Sequence, residues 1–325
     1  MKLKKIKRKV AVGTAILMTL SLAGCGIGSD SVKLGAAGVG GGYYAFSNAF
    51  AQIASSENED LDFEVKATAG STANIRLLSD GYVDMAIAQA DLVDAAYNGT
   101  GATDKKRYRG YSAVASLYTE ACQIVVRSDS GIDSLDDLQG KKISVGEEES
   151  GTQRNAEQIL KMTGLVESLV DTVNLDYVDA ANELKSGQID AFFCTAGIQT
   201  SVIEELSKEC DVKLIGIDDK CRDRLKSVYG FYTDYTIPAG TYEGQTQDVV
   251  TLGVRAVLLA RDDMDEKIVE ELTGLLFEHA QDIQYSIALT FQIDESEAVK
   301  NVTIPFHDGA KAYYQKKGTE IPAEQ

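Results

Sequence analysis

The chain has 325 residues, a length typical of two domains, and it carries 50 acidic against 32 basic residues for a net charge of −18. A potential of this sign repels nucleic acid and anionic lipid headgroups, so we expect no nucleic-acid partner. The five cysteines form no C-x-x-C pair and only two histidines are present, so we expect neither a metal nor a cofactor.

The first 24 residues follow the order of a secretory signal. Six basic residues lie before residue 10, an apolar stretch covers residues 10–22, and Leu22-Ala23-Gly24-Cys25 resembles a bacterial lipobox. This pattern predicts a lipoprotein signal peptide at 1–24, lipidation of Cys25 and a tether at 25–31; an ordinary signal anchor with an incidental cysteine is the alternative. Removing the leader leaves a net charge of −24, so the lipid would hold the protein, extracytoplasmic, on the outer face of the cell membrane.

The stretch from Val32 to Ile53 predicts a strand, a glycine loop and a helix. Phe46, Ala49, Phe50 and Ile53 recur at i, i+3, i+4 and i+7, which is one face of a helix. Such a unit aims backbone N–H groups and the positive end of a helix at an anion. We therefore expect a ligand-binding loop here, with a structural tight turn as the simpler alternative.

The same loop also satisfies G-x-G-x-x-A, with glycines at 40 and 42 and Ala45, the fingerprint of dinucleotide-binding enzymes. That fingerprint requires an acidic residue after the second strand to hold the ribose. Here the predicted strand at 63–68 is followed by small and hydroxylic residues at 69–72 instead. A small ligand held by backbone and hydroxyl groups is the favoured interpretation, and we expect no enzymatic activity.

Further elements alternate as in an α/β protein. Ser71 is predicted to cap a helix over 72–80, and residues 83–89 form a buried strand that delivers Gln89 and Asp91 at the sheet edge where ligands bind. Cys122 and Cys194 lie in apolar runs and are predicted to be buried, whereas Cys210 and Cys221 could pair outside the cell or stay free. Other strands are predicted over 121–127, 142–146, 213–217 and 249–260, with a helix beginning at Thr152 and acidic-faced helices from residue 265.

An internal repeat divides the chain. Residues 78–87 recur as residues 184–193, with leucine, glycine, a β-branched residue and aspartate at identical spacing and an offset of 106. The loops Gly40-Gly41-Gly42 and Ser150-Gly151-Thr152 recur with an offset of 110. Two elements that recur in the same order predict two similar α/β lobes, although helix, glycine and strand also follow one another by chance in this class of fold.

A series of motifs then runs in order along residues 32–318: Gly38-Val39-Gly40-Gly41-Gly42-Tyr43-Tyr44, Ala69-Gly70-Ser71-Thr72-Ala73-Asn74, Gln89-Ala90-Asp91, Val125-Val126-Arg127-Ser128-Asp129, Ser150-Gly151-Thr152, Phe231-Tyr232, Ile237-Pro238-Ala239-Gly240-Thr241-Tyr242 and His307-Asp308-Gly309-Ala310. In this order the chain resembles the TAXI group of solute-binding proteins, the extracytoplasmic receptors of TRAP transporters. The resemblance covers nearly the whole predicted mature chain.

The resemblance implies a two-lobe, periplasmic-binding-protein-like fold of type II with crossing hinge strands. It places lobe I at 32–121 and 251–325 and lobe II at 122–250. It further implies a monomer that performs no chemistry, closes over a small carboxylate or amino acid such as glutamate or glutamine, and delivers it to TRAP permease subunits. An extracellular enzyme that uses a nucleotide or small molecule, and a surface antigen without a transport role, are the alternatives.

The expected ligand-binding residues combine this resemblance with the chemistry of anion sites. Backbone N–H groups, hydroxyls and two helix N-termini would surround the carboxylate ends, with Arg76, Arg127 and Arg154 close enough in sequence to assist. One departure is the triplet at 147–149, three glutamates where the family has small residues; we favour a solvated charge run over a position facing the cleft. The predicted set is Gly41, Gly42, Ser71, Ser150, Gly151 and Thr152 around the carboxylates, Gln89 at a polar end, and Tyr43, Phe193 and Tyr232 as walls.

Overall fold

The computed structural model describes residues 31–101, 105–166, 168–287 and 293–322. The predicted signal peptide, the lipidation site Cys25 and nearly all of the predicted tether lie outside the described residues. No helix within the described ranges is long and apolar enough to cross a membrane.

Two long antiparallel strands, β4 (Tyr111–Arg127) and β10 (Val249–Arg261), run through the ten-stranded sheet that the described residues form. We define lobe I by strands β1–β3 and lobe II by strands β5–β9. Lobe I begins with β1 (Val32–Gly35), α1 (Gly42–Glu57), β2 (Phe63–Lys66), α2 (Ser71–Ser79), β3 (Met85–Gln89) and α3 (Ala90–Asn98), and it is completed by α8 (Glu266–Glu278), α9 (Ala280–Ser286) and α10 (Asp308–Lys317). Lobe II contains a 3-10 helix (Leu135–Leu138), β5 (Lys142–Ser144), α4 (Gly151–Thr163), β6 (Asp171–Val173), α5 (Tyr177–Ser186), β7 (Ala191–Ala196), α6 (Ser201–Glu209), β8 (Val212–Leu214), α7 (Asp219–Val228) and β9 (Thr233–Ile237).

The predicted internal repeat is present as equivalent sheet units. In lobe I, β1 lies between β2 and β3 and pairs with both in parallel; in lobe II, β5 lies between β6 and β7 in the same way. Parallel strands require crossover connections, which the helices α1, α2, α4 and α5 supply. The two units therefore have the same order of strands and helices.

The crossing strands belong to both lobes. The first part of β4 pairs with β10, and its second part pairs with β7 and β8 of lobe II. Each crossing strand contributes side chains to both hydrophobic cores. Along β4, Tyr118 packs in the core of lobe I and Cys122 in the core of lobe II; along β10, Val254 packs in the core of lobe II and Ala256 in the core of lobe I. The predicted lobe boundaries, 121/122 and 250/251, fall within these two strands and remain predictions.

Strand β4 is longer than expected, because only 121–127 were predicted as a strand and it begins at Tyr111. The added residues are almost all buried, so they lack the alternation of polar and apolar side chains that identifies a half-exposed strand. Cys122 and Cys194 are buried as predicted, and all four cysteines beyond residue 31 are free thiols, including Cys210 and Cys221.

Candidate functional site

A small cavity lies between the lobes, and we call it the cleft. Its volume is about 40 Å³, room for roughly three water molecules at about 10–15 Å³ each. Eight of the ten predicted ligand-binding residues line it: Gly41, Gly42, Tyr43, Ser71, Gln89, Ser150, Gly151 and Thr152. The rest of the lining consists of Ala37, Gly38, Ala69, Gly70, Glu120, Glu147, Asp176, Tyr177, Thr195 and Ala196.

The glycine loop delivers helix α1 to the cleft with its N-terminus uncapped. Gly41 is the N-cap residue, no side chain of the described residues caps the helix, and its first turn contains no acidic residue. The backbone N–H groups at Gly42 and Tyr43 thus begin the helix at the cleft wall, where the positive end of the helix dipole lies. This end of the cleft suits a carboxylate.

Ser71 acts differently from its predicted role as a helix cap. Helix α2 begins at Ser71 itself with Gly70 as the N-cap, and the Ser71 hydroxyl accepts a hydrogen bond from the backbone N–H of Gln89 at 3.1 Å. The first N–H groups of α2, at Thr72 and Ala73, are donated to the Glu149 carbonyl of lobe II. The capping prediction is wrong because a loop of the other lobe supplies the acceptor.

Gln89, at the end of β3, reaches across to lobe II. Its side-chain Nε2 donates to Asn155 Oδ1 at 3.1 Å, while its Oε1 is buried and has no hydrogen-bond partner among the described residues. The amide lies against Gly151, where an added Cβ would stand 2.5–2.7 Å from the Gln89 amide atoms. The absence of a side chain at Gly151 therefore leaves the space in the cleft that the Gln89 amide occupies.

Lobe II supplies a hydroxyl network. Ser150 caps helix α4 by accepting from the Gln153 N–H at 2.9 Å. The Thr152 hydroxyl accepts from the Thr195 N–H at 3.1 Å and lies 2.6 Å from the Tyr177 hydroxyl, which donates to the Thr195 carbonyl. These bonds fix Thr152, Tyr177 and Thr195 as one rigid wall.

Phe193 and Tyr232, the two remaining predicted residues, lie behind the lining. Phe193 is fully buried in the core of lobe II. Tyr232 donates to Gln158 Oε1 at 2.5 Å and accepts from Asn155 Nδ2 at 2.8 Å. Tyr232 thereby supports Asn155, which in turn holds the Gln89 amide.

The charged residues among the described lining of the cleft are all acidic. Glu120, on β4, is 3% exposed and accepts a hydrogen bond from the Tyr43 hydroxyl at 2.6 Å. Burial raises the pKa of Glu120 to about 8, and burial also raises the pKa of Tyr43, which keeps its hydroxyl proton for this bond. Burial, together with the nearby charge of Asp176, raises the pKa of Glu147.

The glutamate triplet divides among three environments. Glu147 lines the cleft, Glu148 is exposed, and Glu149 forms a two-point ion pair with Arg76 of lobe I, Nη2–Oε2 2.7 Å and Nε–Oε1 3.1 Å. The expectation of a solvated charge run is thus wrong for Glu147, whereas Glu148 and the partly exposed Glu149 are both accessible to solvent. The arginines expected to assist lie elsewhere: Arg127 contacts Asp129, Arg154 lies near Glu157, and neither these two nor Arg76 lines the cleft.

Sequence reasoning missed several lining residues, and two of them, Thr195 and Glu120, had a signal in the sequence. Thr195 lies 106 residues after Gln89, so the repeat itself places both at equivalent strand ends. Glu120 is a single acidic residue within a long apolar run, which is a signal of a buried charge. Asp176 caps helix α5 by accepting from the Asp179 N–H at 2.8 Å, and nothing in the sequence separates it from other caps.

The lobes meet around the cleft. Besides the Arg76–Glu149 pair and the Gln89–Asn155 bond, the Ser201 hydroxyl donates to the Gly40 carbonyl at 3.1 Å. These contacts bring the two lobes together around a cavity of about 40 Å³, which is smaller than an amino acid.

Residues 34–318 match the sequence model of the NMT1-like family. Among solved structures, the chain is similar to PhnD1 from Prochlorococcus marinus in complex with methylphosphonate, with a TM-score of 0.56, 12% identity and coverage of 90% of this chain and 100% of that one. It is also similar to a protein from Bordetella bronchiseptica RB50, with a TM-score of 0.53, 18% identity and coverage of 90% and 83%. These similarities confirm the predicted fold class, an α/β two-lobe fold of the periplasmic-binding type.

Proposed function

The chain belongs to the NMT1-like family, and we propose that it is an extracytoplasmic solute-binding protein that closes two lobes over a small solute and delivers it to a membrane permease. The observation that carries this proposal is the cleft itself, which is lined by equivalent loops from both lobes and, in the described arrangement, is smaller than an amino acid. A ligand that contacts both lobes favours the closed state and shifts the population toward it.

The proposed solute is a small carboxylate or amino acid, with glutamate and glutamine as the first candidates. The uncapped N-terminus of α1 offers backbone N–H groups and a positive dipole to a carboxylate. The hydroxyls of Ser71 and Thr152 and the amide of Gln89 lie around the same cavity. The similar structure of PhnD1 is a complex with methylphosphonate, which is also a small anion.

The narrower assignment follows the sequence motifs. The resemblance to the TAXI group supports a receptor for TRAP permease subunits, and the lipobox-like Leu22-Ala23-Gly24-Cys25 supports a lipid anchor at Cys25. In a cell fractionation, the Cys25→Ala variant is expected to leave the membrane fraction. Wild-type protein that keeps its leader and lacks lipid would contradict this localisation.

Mass spectrometry of the natively purified protein tests the proposed function directly. We expect one small molecule per chain, released on unfolding. Added back at a hundred times its dissociation constant, it should stabilise the fold by about 2.7 kcal/mol, measured as a raised melting temperature. Protein that carries no small molecule, and whose melting temperature no amino acid or carboxylate raises, would contradict the proposal.

A further inference from the structure

A carboxyl group without a basic partner lies in the wall of the cleft. Glu120, on the crossing strand β4, is 3% exposed, and no lysine or arginine is among the described lining residues. An ionised carboxylate in such a place has lost its hydration without gaining a counter-charge, so the group takes up a proton instead. The surroundings of Glu120 therefore favour the neutral acid, in agreement with its pKa of about 8.

The titratable groups that face Glu120 add no positive charge. They lie on neighbouring elements and on β4 itself: Tyr43 on α1, Asp91 at the start of α3, Tyr177 on α5, Cys194 on β7, and Tyr118 and Cys122 on β4. Burial raises the pKa of each tyrosine and cysteine in this set, so these groups are neutral at pH 8. Asp91 is ionised at that pH, because burial raises its pKa only to about 6, and its negative charge opposes ionisation of Glu120.

The hydrogen bonds around Glu120 indicate where its proton lies. Glu120 Oε2 accepts from the Tyr43 hydroxyl at 2.6 Å. The Gln89 amide also lies beside Glu120; its Nε2 donates to Asn155, and its Oε1 is buried without a donor among the described residues. A buried acceptor without a donor costs free energy, and the O–H of a neutral Glu120 supplies one next to it. One proton on Glu120 thus removes a buried charge and gives the Gln89 amide oxygen a partner.

A carboxylate bound in the cleft strengthens the preference for the neutral acid. Tyr43, which donates to Glu120, lies in the first turn of α1, and the uncapped N-terminus of this helix is the proposed carboxylate site. Two negative charges at this short range and away from water would repel each other strongly. The bound carboxylate therefore raises the pKa of Glu120 further, and the solute binds more weakly once Glu120 is ionised.

We propose that Glu120 is a specificity-determining residue that admits a carboxylate solute only in its protonated form, with its O–H donated to Gln89 Oε1, so that the solute and one proton bind together. Binding then has its full strength at a pH where Glu120 is protonated, and it weakens as the pH rises through the range in which Glu120 ionises. This inference rests on the proposed solute-binding function and adds a proton as a second ligand of the same site.

Calorimetric titration of the purified protein with L-glutamate tests this linkage. We expect the dissociation constant to rise about tenfold from pH 7 to pH 9, because above a pKa of about 8 the solute-free protein must regain a proton in order to bind. Titrations at pH 9 in two buffers of different ionisation enthalpy should show the uptake of close to one proton for each solute bound.

The variant Glu120→Gln copies the neutral acid, since its amide can still accept from the Tyr43 hydroxyl and donate to Gln89 Oε1. It should bind L-glutamate nearly as tightly as wild type at pH 7 and lose the pH dependence. Glu147→Gln is the matched control, because it removes another carboxylate of the same cleft and should keep the pH dependence. In infrared spectra at pH 7, wild type should show the carbonyl absorption of a protonated carboxyl group that Glu120→Gln lacks.

The outcomes separate this inference from the proposed function. Binding of L-glutamate that is equally tight at pH 7 and pH 9 overturns the proton linkage and leaves the solute receptor standing. A pH dependence that persists in Glu120→Gln, or that disappears in Glu147→Gln instead, assigns the proton to another group and also overturns it. No binding of L-glutamate at either pH, in wild type and in Glu120→Gln alike, overturns the proposed solute and this inference together.

Discussion

In lobe I the Asp84 carboxylate accepts a hydrogen bond from the Lys33 backbone N–H at 2.9 Å, and in lobe II Asp190 accepts one from Lys142 at the same distance. The backbone groups are equivalent as well, since the N–H of each aspartate donates to the carbonyl of the same lysine at 2.8 Å. Each pair ties the start of one strand, β3 or β7, to its parallel neighbour. The aspartates recurring in the sequence thus have one structural purpose, which is to fix strand register.

The crossing strands show a second equivalence. Arg261, at the end of β10, approaches the turn at Gly81, and Arg127, at the end of β4, approaches the turn at Gly187. Both glycines have positive φ, 75° and 74°, which glycine adopts without strain. In each lobe, an arginine from a crossing strand therefore packs against the turn that joins a helix to the following strand.

The difference lies where the repeated strands reach the cleft. Position 89 of lobe I is a glutamine whose amide crosses to lobe II, and the equivalent position 195 is a threonine bound within its own lobe. Helix α1 begins at an uncapped glycine pair, whereas α4 has its Ser150 cap and a bonded Thr152. The two lobes thus share their backbone arrangement, but the side chains that they present to the cleft differ.

The largest expected effect concerns the buried acid on the crossing strand. Folded Glu120 has a pKa raised to about 8 from an ordinary 4.5, so between these values the unfolded chain releases a proton that the folded chain keeps. Wild-type protein should then lose stability relative to Glu120→Gln by up to about 1.4 kcal/mol per pH unit across this window.

Urea unfolding at pH 5 and pH 8 measures this difference. The exposed Glu148→Gln should show a constant difference from wild type at both pH values. A constant difference for Glu120→Gln as well would mean that the Glu120 carboxylate is ionised in the folded protein.

Next comes the pair of equivalent glycines. An added Cβ at Gly151 would displace the Gln89 amide, whereas at Gly41 it would lie 3.2 Å from the Gly38 carbonyl and from the Tyr177 ring. Gly151→Ala should weaken binding of L-glutamate about a hundredfold, because it removes the Gln89–Asn155 bond and the proposed bond between the Gln89 amide and the solute. Gly41→Ala should weaken binding by less than about tenfold.

Calorimetric titration distinguishes these variants, with Gly230→Ala as the control, since Gly230 is exposed, does not line the cleft, and an added Cβ there would meet nothing within 4 Å among the described residues. Equal losses at positions 41 and 151 would mean that the two cleft faces contribute alike and that the asymmetry described above has no energetic consequence.

The repeated aspartates come third. Asp84→Ala and Asp190→Ala should each lower the free energy of unfolding by about 1–2 kcal/mol, because each removes a charged acceptor from a backbone N–H. The positions are distant, so the double variant should lose the sum. Denaturant unfolding of both variants, with the exposed Asp80→Ala as the control, checks the equivalence. A loss in one lobe alone would show that the second aspartate repeats in sequence without repeating in function.

The sequence predicted those features that have a periodic or repeated signal. Phe46 and Phe50 are buried on the expected face of α1, and the offset of 106 identified the equivalent turns. Contacts between the lobes carry no local pattern. The role of Ser71 depends on a carbonyl in a loop 78 residues further along the chain, at Glu149. The position of Glu147 in the cleft depends on how that loop folds, since three consecutive glutamates at 147–149 lie in three different environments.

The smallest expected effect concerns the ion pair that joins the lobes. Arg76 and Glu149 have side chains 38% and 41% exposed, so their pair should contribute less than about 1 kcal/mol to the free energy of unfolding. Lobe closure is a different equilibrium, in which a fraction of 1 kcal/mol already changes the populations. Glu149→Gln should therefore leave the unfolding free energy nearly unchanged and increase the radius of gyration of the solute-free protein in small-angle scattering. Higher salt should do the same to wild type by screening the pair.

Glu209→Gln is the control for that experiment, because it removes the same charge from the Lys185–Glu209 pair, which lies within lobe II at the same 2.7 Å distance. It should leave the radius of gyration unchanged. Saturating L-glutamate should close both variants, since ligand contacts with the two cleft faces outweigh a single exposed pair. If Glu149→Gln stays compact without solute, the backbone bonds from Thr72 and Ala73 to the Glu149 carbonyl hold the lobes together, and closure depends on the loop conformation and not on its charge.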